Sequence, residues 1–242
     1  MSDIRTGPRV VTDAIKEIWH SAATQGKRLP SEPDLAATTG SSRPVVRESL
    51  IRLEERGYIH RTQGTGTAVN PELLRVKARI DEQVDHSDII AGAGMSSTLR
   101  VIRQEIAPVT REEAERFRVE AGIPAFRTVK AWFADGQPVA LAADSVPIRL
   151  RDIPSADMDA SASVFSLAET LGLGRPVWET VWVTAAMVDE HEAWMLNLHE
   201  PQPAVCLVLH GIDSSGMTCY WSRELQVNGP IDFAMVRPIH QA

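Results

Sequence analysis

The order of short helices and strands at the start of the chain constrains its fold most strongly. Apolar residues recur at three- and four-residue steps from Val11 to Ala22, which predicts an amphipathic helix. Ser31 and Ser42 each precede a further short helix, because serine is a favoured N-cap residue. Two strand-like runs joined by the glycine-bearing segment 63–66 then predict a β-hairpin. Three helices followed by a hairpin are typical of a winged helix-turn-helix, a DNA-binding fold.

The charge distribution agrees with this prediction although the total charge does not. The 242 residues carry a formal net charge of −7, which by itself is unfavourable for contact with a polyanion. Residues 1–75 hold 11 basic and 9 acidic side chains, a charge of +2, whereas the rest holds 14 and 23, a charge of −9. The acidity therefore belongs to the C-terminal part, and the N-terminal part stays compatible with nucleic acid.

Composition and targeting signals indicate a globular cytoplasmic protein without a membrane partner. The hydrophobic content of 43% and charged content of 24% are ordinary for a soluble domain. No segment approaches the roughly 20 apolar residues of a membrane span, and the first residues lack a signal-peptide core. Cys206 and Cys219 are too few for a disulfide framework, which agrees with a reducing compartment.

A second domain is expected after a linker at residues 71–94, and it contains a faint internal repeat. Glu113-Ala114 recurs as Glu192-Ala193, and each pair is followed by a proline-alanine step, a strand, a turn and another strand. Thr110 and Asp189 stand where N-caps of two short helices belong. The pattern predicts an α+β domain over 95–242 with an antiparallel sheet. Its strands are expected near 97–107, 125–134, 138–146, 177–187, 204–212 and 218–227, with a helix near 163–172.

The segment from Arg28 to Val69 resembles the GntR family of transcription regulators. The residues that carry the resemblance are Leu29-Pro30-Ser31-Glu32, Asp34-Leu35-Ala36, Ser42-Arg43, Val46-Arg47-Glu48, Leu50, Leu53-Glu54, Gly57 and Gln63-Gly64-Thr65-Gly66-Thr67. The resemblance implies a winged helix-turn-helix over residues 1–70 and double-stranded operator DNA as its partner. Many family members carry a basic residue where this chain has Pro33, so one DNA contact of those members is expected to be missing.

The resemblance also implies which residues contact DNA. Arg43 and Arg47 are four residues apart, so they share one face of the recognition helix, and arginine suits bidentate contact with guanine. By contrast, Arg52 and Arg56 are expected to be solvated only. The full set of expected DNA contacts, including the helix start that suits a phosphate and the wing, is Ser31, Ser42, Arg43, Val45, Arg47, Gln63, Gly64, Thr65 and Gly66.

Residues 75–240 resemble the UTRA effector domain of the HutC subfamily. The matching features are Glu113-Ala114, Ala134-Asp135-Gly136-x-Pro138-Val139-Ala140, Pro147, Ser163-Val164-Phe165, Glu192-Ala193 and the last strand to Phe233. The resemblance implies a chorismate-lyase-like α+β fold, a small-molecule pocket in each subunit and a homodimer.

The effector is expected to be a small anion of the carboxylate, phosphate or phosphonate class. The acids that hold sugar hydroxyls in sugar-phosphate members are absent, whereas Lys130, Ser163 and Arg223 suit an anion. For Arg223, a surface position is slightly favoured over the pocket. Trp132 and Phe165 are equally compatible with walls of the pocket and with the core. The complete expected effector set is Lys130, Trp132, Ser163, Phe165, Tyr220, Arg223 and Gln226.

These observations favour a ligand-responsive repressor that binds a palindromic operator as a dimer. An activator would use the same residues and stays open. A lyase-like enzyme is disfavoured because no nucleophile–base pair, paired carboxylates or zinc-ligand spacing is present, and no cofactor is expected. A non-specific DNA-binding protein is disfavoured by the acidic second domain.

Overall fold

The structure is a computed structural model that describes residues 8–62, 66–82, 84–149, 158–237 and 239. The chain forms two units. The first comprises residues 1–83 together with 233–242, and the second comprises residues 84–232. The units differ from the expected domains, because the segment after residue 70 and the C-terminal segment both belong to the first unit.

The first unit has the expected order of helices and strands. Its helices are α1 (Pro8–Thr24), α2 (Glu32–Thr39) and α3 (Arg43–Glu55), and its hairpin is β1 (Ile59–Thr62) with β2 (Gly66–Val69). A 3-10 turn (Pro71–Leu74) and the short strand β3 (Ala78–Arg79) follow, and β10 (Phe233–Ala234) completes the unit.

The three helices of the first unit pack on one apolar core. Ile15, Leu35, Leu50 and Leu53 are buried completely or nearly so, because the apolar faces of α1, α2 and α3 meet there. The ring of Tyr58, just after α3, packs edge-on against Trp19 with their centroids 5.0 Å apart. This core fixes α3, the expected recognition helix, against the rest of the unit.

The C-terminal segment pairs with the first unit, which corrects the expectation that Phe233 ends the last strand of the second domain. In β10, Phe233 pairs in parallel with Ala78 of β3, and Ala234 accepts a hydrogen bond from the amide of Ile80 at 2.9 Å. A strand of two residues shows no alternating pattern, so periodicity gives no signal for it.

The second unit is an α+β domain, as expected. Its elements are α4 (His86–Gly92), β4 (Ser97–Pro108), α5 (Arg111–Phe117), β5 (Pro124–Ala134), β6 (Gln137–Pro147), α6 (Val164–Thr170), β7 (Trp178–Met187), α7 (Glu190–Met195), β8 (Pro203–Ile212) and β9 (Thr218–Val227). The six strands form one sheet in the order β4-β5-β6-β9-β8-β7, with antiparallel neighbours throughout.

The sheet consists of two similar halves that meet at the β6–β9 pair. In each half a strand, a short helix and a hairpin follow one another, which confirms the repeat expected from sequence. Both predicted capping boxes are present: Thr110 with Glu113 at α5, and Asp189 with Glu192 at α7. A capping box bonds two of the amides that a helix start leaves without intrahelical partners.

Short helices cover both faces of the sheet. On one face, Phe117 of α5 stacks on Trp221 of β9 with ring centroids 5.3 Å apart, and Leu196 after α7 packs near Leu225. On the opposite face, α4 and α6 pack over β5, β6 and β9. Because side chains alternate along a strand, neighbouring residues of β9 serve different faces.

We expect Leu53→Ala to destabilise the first unit by about 2–5 kcal/mol, because the side chain of Leu53 is fully buried and its loss leaves a cavity. Ile51→Ala on the same helix is the matched control, since Ile51 is 40% exposed, and it should change stability by less than about 1 kcal/mol. Hydrogen exchange of α1 and α3 peptides in the full chain measures both. Equal effects of the two variants would contradict this core.

Candidate functional site

The first turn of α3 presents polar side chains on the surface of the first unit. Ser42 precedes the helix in an extended conformation, and its hydroxyl makes no capping bond to the helix. Ser42 and Arg43 are exposed, and Arg43 forms no ion pair with any described residue. A helix start with exposed donors suits a base edge or a phosphate in a DNA groove.

The guanidinium of Arg47 is held in place by Glu32 at the start of α2. The Nη2 atom lies 2.9 Å from Oε2 of Glu32, although 65% of the arginine side chain is exposed. The hydrogen bond to Arg47 lowers the pKa of Glu32. The ion pair orients Arg47 on the same exposed face as Arg43, so the two guanidinium groups are available together.

Other expected DNA contacts have different environments. Ser31 caps α2 and accepts a hydrogen bond from the amide of Asp34, so its hydroxyl already serves the helix. Val45 is half-buried against the core of the unit, which leaves only part of its side chain for DNA. Gly66 begins β2 with a φ of 81° that favours glycine. Gln63, Gly64 and Thr65 lie outside the described residues.

One further basic residue near the wing was not singled out from sequence. Arg28 is exposed, and its Nη1 atom lies 3.7 Å from where a Cβ on Gly66 would stand. It is therefore next to the turn end of the β1–β2 hairpin, where Gly66 pairs with Thr62, a position suited to a DNA phosphate. The signal in the sequence is a basic residue directly before Leu29, whose amide bonds to Thr67 at 3.2 Å.

In the second unit, a polar cluster lies on the sheet face beneath α4 and α6. Lys130 of β5 and Asp144 of β6 are only 2% and 5% exposed, and Nζ lies 2.8 Å from Oδ2. The ammonium also donates to the carbonyl of Ala162 at 3.0 Å, and Ser222 donates to Asp144 at 2.7 Å. The lysine is thus a buried, paired charge, as buried charges must be.

Glu224 of β9 belongs to the same cluster but has no such partner. Its Oε2 accepts from Nε2 of Gln226 at 3.0 Å, and that amide lies 3.1 Å from Nε2 of His86. Burial, reinforced by the neighbouring Asp144, raises the pKa of Glu224 to about 8. Burial also lowers the pKa of His86, so the imidazole is neutral near pH 7.

A third carboxylate reaches the cluster across strand β8. The hydroxyl of Tyr220 donates to Glu179 of β7, and burial raises the pKa of both groups. Gly211 of β8 makes this reach possible, because a Cβ there would stand 2.1 Å from the tyrosine ring. The ring of Phe165 from α6 packs edge-on against Tyr220 with centroids 5.3 Å apart.

Most of the expected effector residues share this face. Lys130, Trp132, Tyr220 and Gln226 all belong to the face that carries the cluster, as their strand pairing requires. Phe165 touches Tyr220 from above. Ser163 caps α6 by accepting from the amide of Ser166 at 3.2 Å, so its hydroxyl is engaged in the helix start.

Arg223 lies away from the polar cluster, which corrects its assignment to the effector pocket. It lies on the opposite face of β9, where its Nη1 is 2.6 Å from Oε1 of Glu192. The reason is the alternation of side chains along a strand, which directs Arg223 away from both Ser222 and Glu224.

Four residues of the cluster were not predicted from the sequence: His86, Asp144, Glu179 and Glu224. The signal for the three acids was a charged residue inside a strand, as in Leu141-Ala142-Ala143-Asp144. Two buried polar atoms of the cluster also have no hydrogen-bond partner: Nε1 of Trp132 and Oε1 of Gln226. Buried polar atoms without partners are rare, so these mark a place where a ligand or water is expected.

A concavity lies on the surface of the same unit, between β4 and α7. It has a volume of about 480 Å³ and is lined partly by Arg100, Trp194 and Asn197. It contains no buried charge, and its one polar contact is a 3.3 Å hydrogen bond from Arg100 to Asn197. The polar cluster is therefore the better candidate for specific recognition of a ligand.

Neither membrane spans nor metal sites were found in the part of the chain that the structure describes. No described helix combines the length and apolarity required to span a bilayer. No group of three or more histidine, cysteine, aspartate or glutamate side chains among the described residues is arranged to hold a metal ion.

Family models match both units. The model described as "Bacterial regulatory proteins, gntR family" matches residues 9–69, and the model of the UTRA domain matches residues 92–227. The second match alone covers more than half of the chain.

Curated relatives are transcriptional regulators. The uncharacterized HTH-type transcriptional regulator YurK of Bacillus subtilis is 27% identical over 143 residues, 59% of this chain and 57% of that protein. The HTH-type transcriptional regulator GgaR of Escherichia coli is 29% identical over 125 residues, 52% of this chain and 49% of that protein. The chain thus matches only about half the length of these relatives.

Solved structures show the same fold. The possible transcriptional regulator YydK from Bacillus subtilis has a TM-score of 0.71 at 18% identity, with 96% of this chain and 99% of that chain covered. PhnF from Mycobacterium smegmatis has a TM-score of 0.59 at 19% identity, with 96% and 100% covered. At these identities the likeness concerns the fold alone.

We expect Glu224→Gln to stabilise the second unit above about pH 8. A carboxyl whose pKa rises from 4.5 to about 8 on folding binds its proton more tightly in the folded state, so stability falls as pH rises from about 5 to 8. The variant should lose that pH dependence, worth a few kcal/mol. Urea unfolding followed by tryptophan fluorescence reports this unit, since five of the six tryptophans lie in residues 84–232. If the free energy of unfolding depended on pH in the same way in the wild type and in Glu224→Gln, the buried state of Glu224 would be contradicted.

Proposed function

Because the chain belongs to the GntR family of bacterial regulatory proteins and carries a UTRA domain, we propose that it is a repressor released from its operator by a small molecule. The relatives are transcriptional regulators rather than enzymes. The observation that carries the proposal is the presence of two separate sites: an exposed arginine pair at the start of α3, and a buried polar cluster on the sheet of the other unit.

The arginine pair is the proposed means of reading operator DNA. A guanidinium group matches the O6 and N7 acceptors of guanine in the major groove. Arg43 is free of described ion pairs, whereas Arg47 must exchange Glu32 for DNA. Arg47 therefore gains from DNA only where a base offers acceptors in the right geometry, since it already has an ionic partner. This favours sequence-specific over non-specific binding, and the proposed place of action is the cytoplasm.

A homodimer would bring two such helices to the two halves of a palindromic site. Strand β7 supports this part of the proposal. It forms one edge of the sheet, and it exposes the large apolar side chains of Trp178, Trp182 and Val183. Edge strands with exposed apolar side chains are surfaces that a second protein chain commonly covers.

The polar cluster is the proposed effector site. It combines buried charges, two polar atoms without partners and the aromatic rings of Trp132, Phe165 and Tyr220. The anionic effector expected from sequence depended on three groups, and of these only Lys130 has its charged atom in the cluster, where it already pairs with Asp144. Ser163 caps a helix and Arg223 lies on the other face.

Release from DNA requires that the effector bind one state of the dimer more tightly than the other, by a few kcal/mol. An activator would use the same coupling with the opposite sign. The two differ in one measurement, because a repressor loses operator affinity when its effector is added and an activator gains it.

We expect Arg43→Ala and Arg47→Ala each to weaken operator binding by about 5- to 150-fold, the cost of one lost bidentate contact. Arg52→Ala is the charge-matched control, since Arg52 pairs with Glu48 on α3 at 2.6 Å, and it should cost less than about threefold. Fluorescence anisotropy on a duplex selected from a random pool measures all three, with unselected duplex for comparison. An unchanged operator affinity for Arg43→Ala and Arg47→Ala would refute the proposed DNA surface, and equal losses on both duplexes would indicate non-specific binding.

A further inference from the structure

The polar cluster holds more carboxyl groups than lysine and arginine side chains. Lys130 and Asp144 neutralise each other at 2.8 Å. Glu224 and Glu179 remain, and neither forms an ion pair with a lysine or arginine of the described ranges. Among the described residues, the basic group within 4 Å of Glu224 is His86, whose Nε2 lies 3.7 Å from Oε2. The cluster thus has acceptors in excess and one positive charge that is already paired.

We propose that the effector of this regulator is a small organic cation, such as an amine or amidine, that binds Glu224 and the side-chain carbonyl of Gln226. The inference rests on the proposed function, since it names the chemistry of the same effector site. A bound cation would take the place of the proton that Glu224 holds near pH 7 and would pair with the resulting carboxylate.

The two orphaned polar atoms agree with such a ligand. Oε1 of Gln226 is buried, has no donor, and belongs to the amide that already bonds Glu224. Nε1 of Trp132 is a buried donor without an acceptor. An N–H group of the ligand satisfies the first atom, and an acceptor elsewhere on the ligand satisfies the second.

The aromatic side chains near the cluster also suit a cation. Trp132 stacks on His86 with centroids 4.7 Å apart, and its ring lies 5.7 Å from the ammonium of Lys130. The face of an indole ring attracts positive charge, and this attraction strengthens when water is excluded. The rings of Tyr220 and Phe165 border the same region through their contact at 5.3 Å.

The cluster is unfavourable for an anionic ligand. Lys130 already donates to Asp144 and to the carbonyl of Ala162, so a ligand carboxylate would compete with a buried carboxylate for it. It would also hold the carboxyl groups of Glu224 and Glu179 in their protonated form, so it would gain no ion pair from them. Among the described residues, Lys130 is the one lysine or arginine with an ion pair inside the cluster, and Arg223 lies on the other face.

Binding of a cation should be accompanied by the release of a proton from Glu224. The groups that act on Glu224 are Asp85 and His86 at the start of α4, Lys130, Asp144 and Glu179, and burial keeps its carboxyl protonated near pH 7. A bound cation favours the ionised form, so Glu224 should release close to one proton per ligand.

The test compares ligands of equal shape and different charge on the DNA-free full chain. Acetamidine and acetate form one pair, benzamidine and benzoate the other, and phenylphosphonate represents the phosphonates. Calorimetry in two buffers of different ionisation enthalpy gives both affinity and proton release. We expect at least one amidine to bind about tenfold or more tightly than its carboxylate, with release of a proton.

Three variants locate the binding. Glu224→Gln should weaken amidine binding by about tenfold or more and abolish proton release. Arg223→Gln, one residue away on the opposite face, should leave both unchanged. Lys130→Met removes the paired cation and should strengthen amidine binding, an effect that a merely damaged fold would not produce.

The outcomes separate this inference from the proposed function. Tighter binding of benzoate, acetate or phenylphosphonate, lost in Lys130→Met, would overturn the cation and leave the effector site in place. Amidine binding that Glu224→Gln does not affect, or no preference for either charge, would also overturn it. Failure of the arginine pair to bind operator DNA would instead refute the proposed function.

Discussion

The ion pair between Lys130 and Asp144 is the interaction on which the second unit and its proposed role depend. Both side chains are almost completely buried, and a buried charge is costly unless it is paired. The pair ties β5 to β6, and its hydrogen bond to Ala162 adds the chain segment just before α6. It therefore keeps a polar region inside a sheet whose other face packs against α5 and α7 largely through apolar side chains, and ligand recognition needs such a region.

Side-chain alternation lets strand β9 contribute both to the packing of α5 and α7 and to the polar cluster. On β9, Leu225 and Trp221 pack beneath the helices of the apolar face, while Ser222, Glu224 and Gln226 face the polar cluster. The two halves of the sheet meet at this strand and β6. The polar cluster is thus built at the junction of the repeat, where both halves contribute residues and neither half suffices alone.

Local features were predictable from the sequence, and long-range ones were not. The capping box of Thr110 and Glu113 and the order of the helices depend on neighbouring residues, so spacing revealed them. The pairing of Phe233 with β3 depends on long-range strand register, which no local pattern sets. The face taken by Arg223 follows from side-chain alternation along β9 and was open to prediction from the sequence. Glu224 was not predicted because the role of a charged residue in a strand depends on its neighbours on adjacent strands, and the sequence alone does not identify them.

The coupling of the two sites is tested most directly by the affinity of the full chain for its selected operator duplex, measured with and without a saturating concentration of the amidine that binds best. We expect the ligand to weaken operator binding by about 5- to 150-fold in the wild type and not in Glu224→Gln at the same ligand concentration. An operator affinity that stays the same although the ligand is bound at the cluster would contradict the coupling of the two sites.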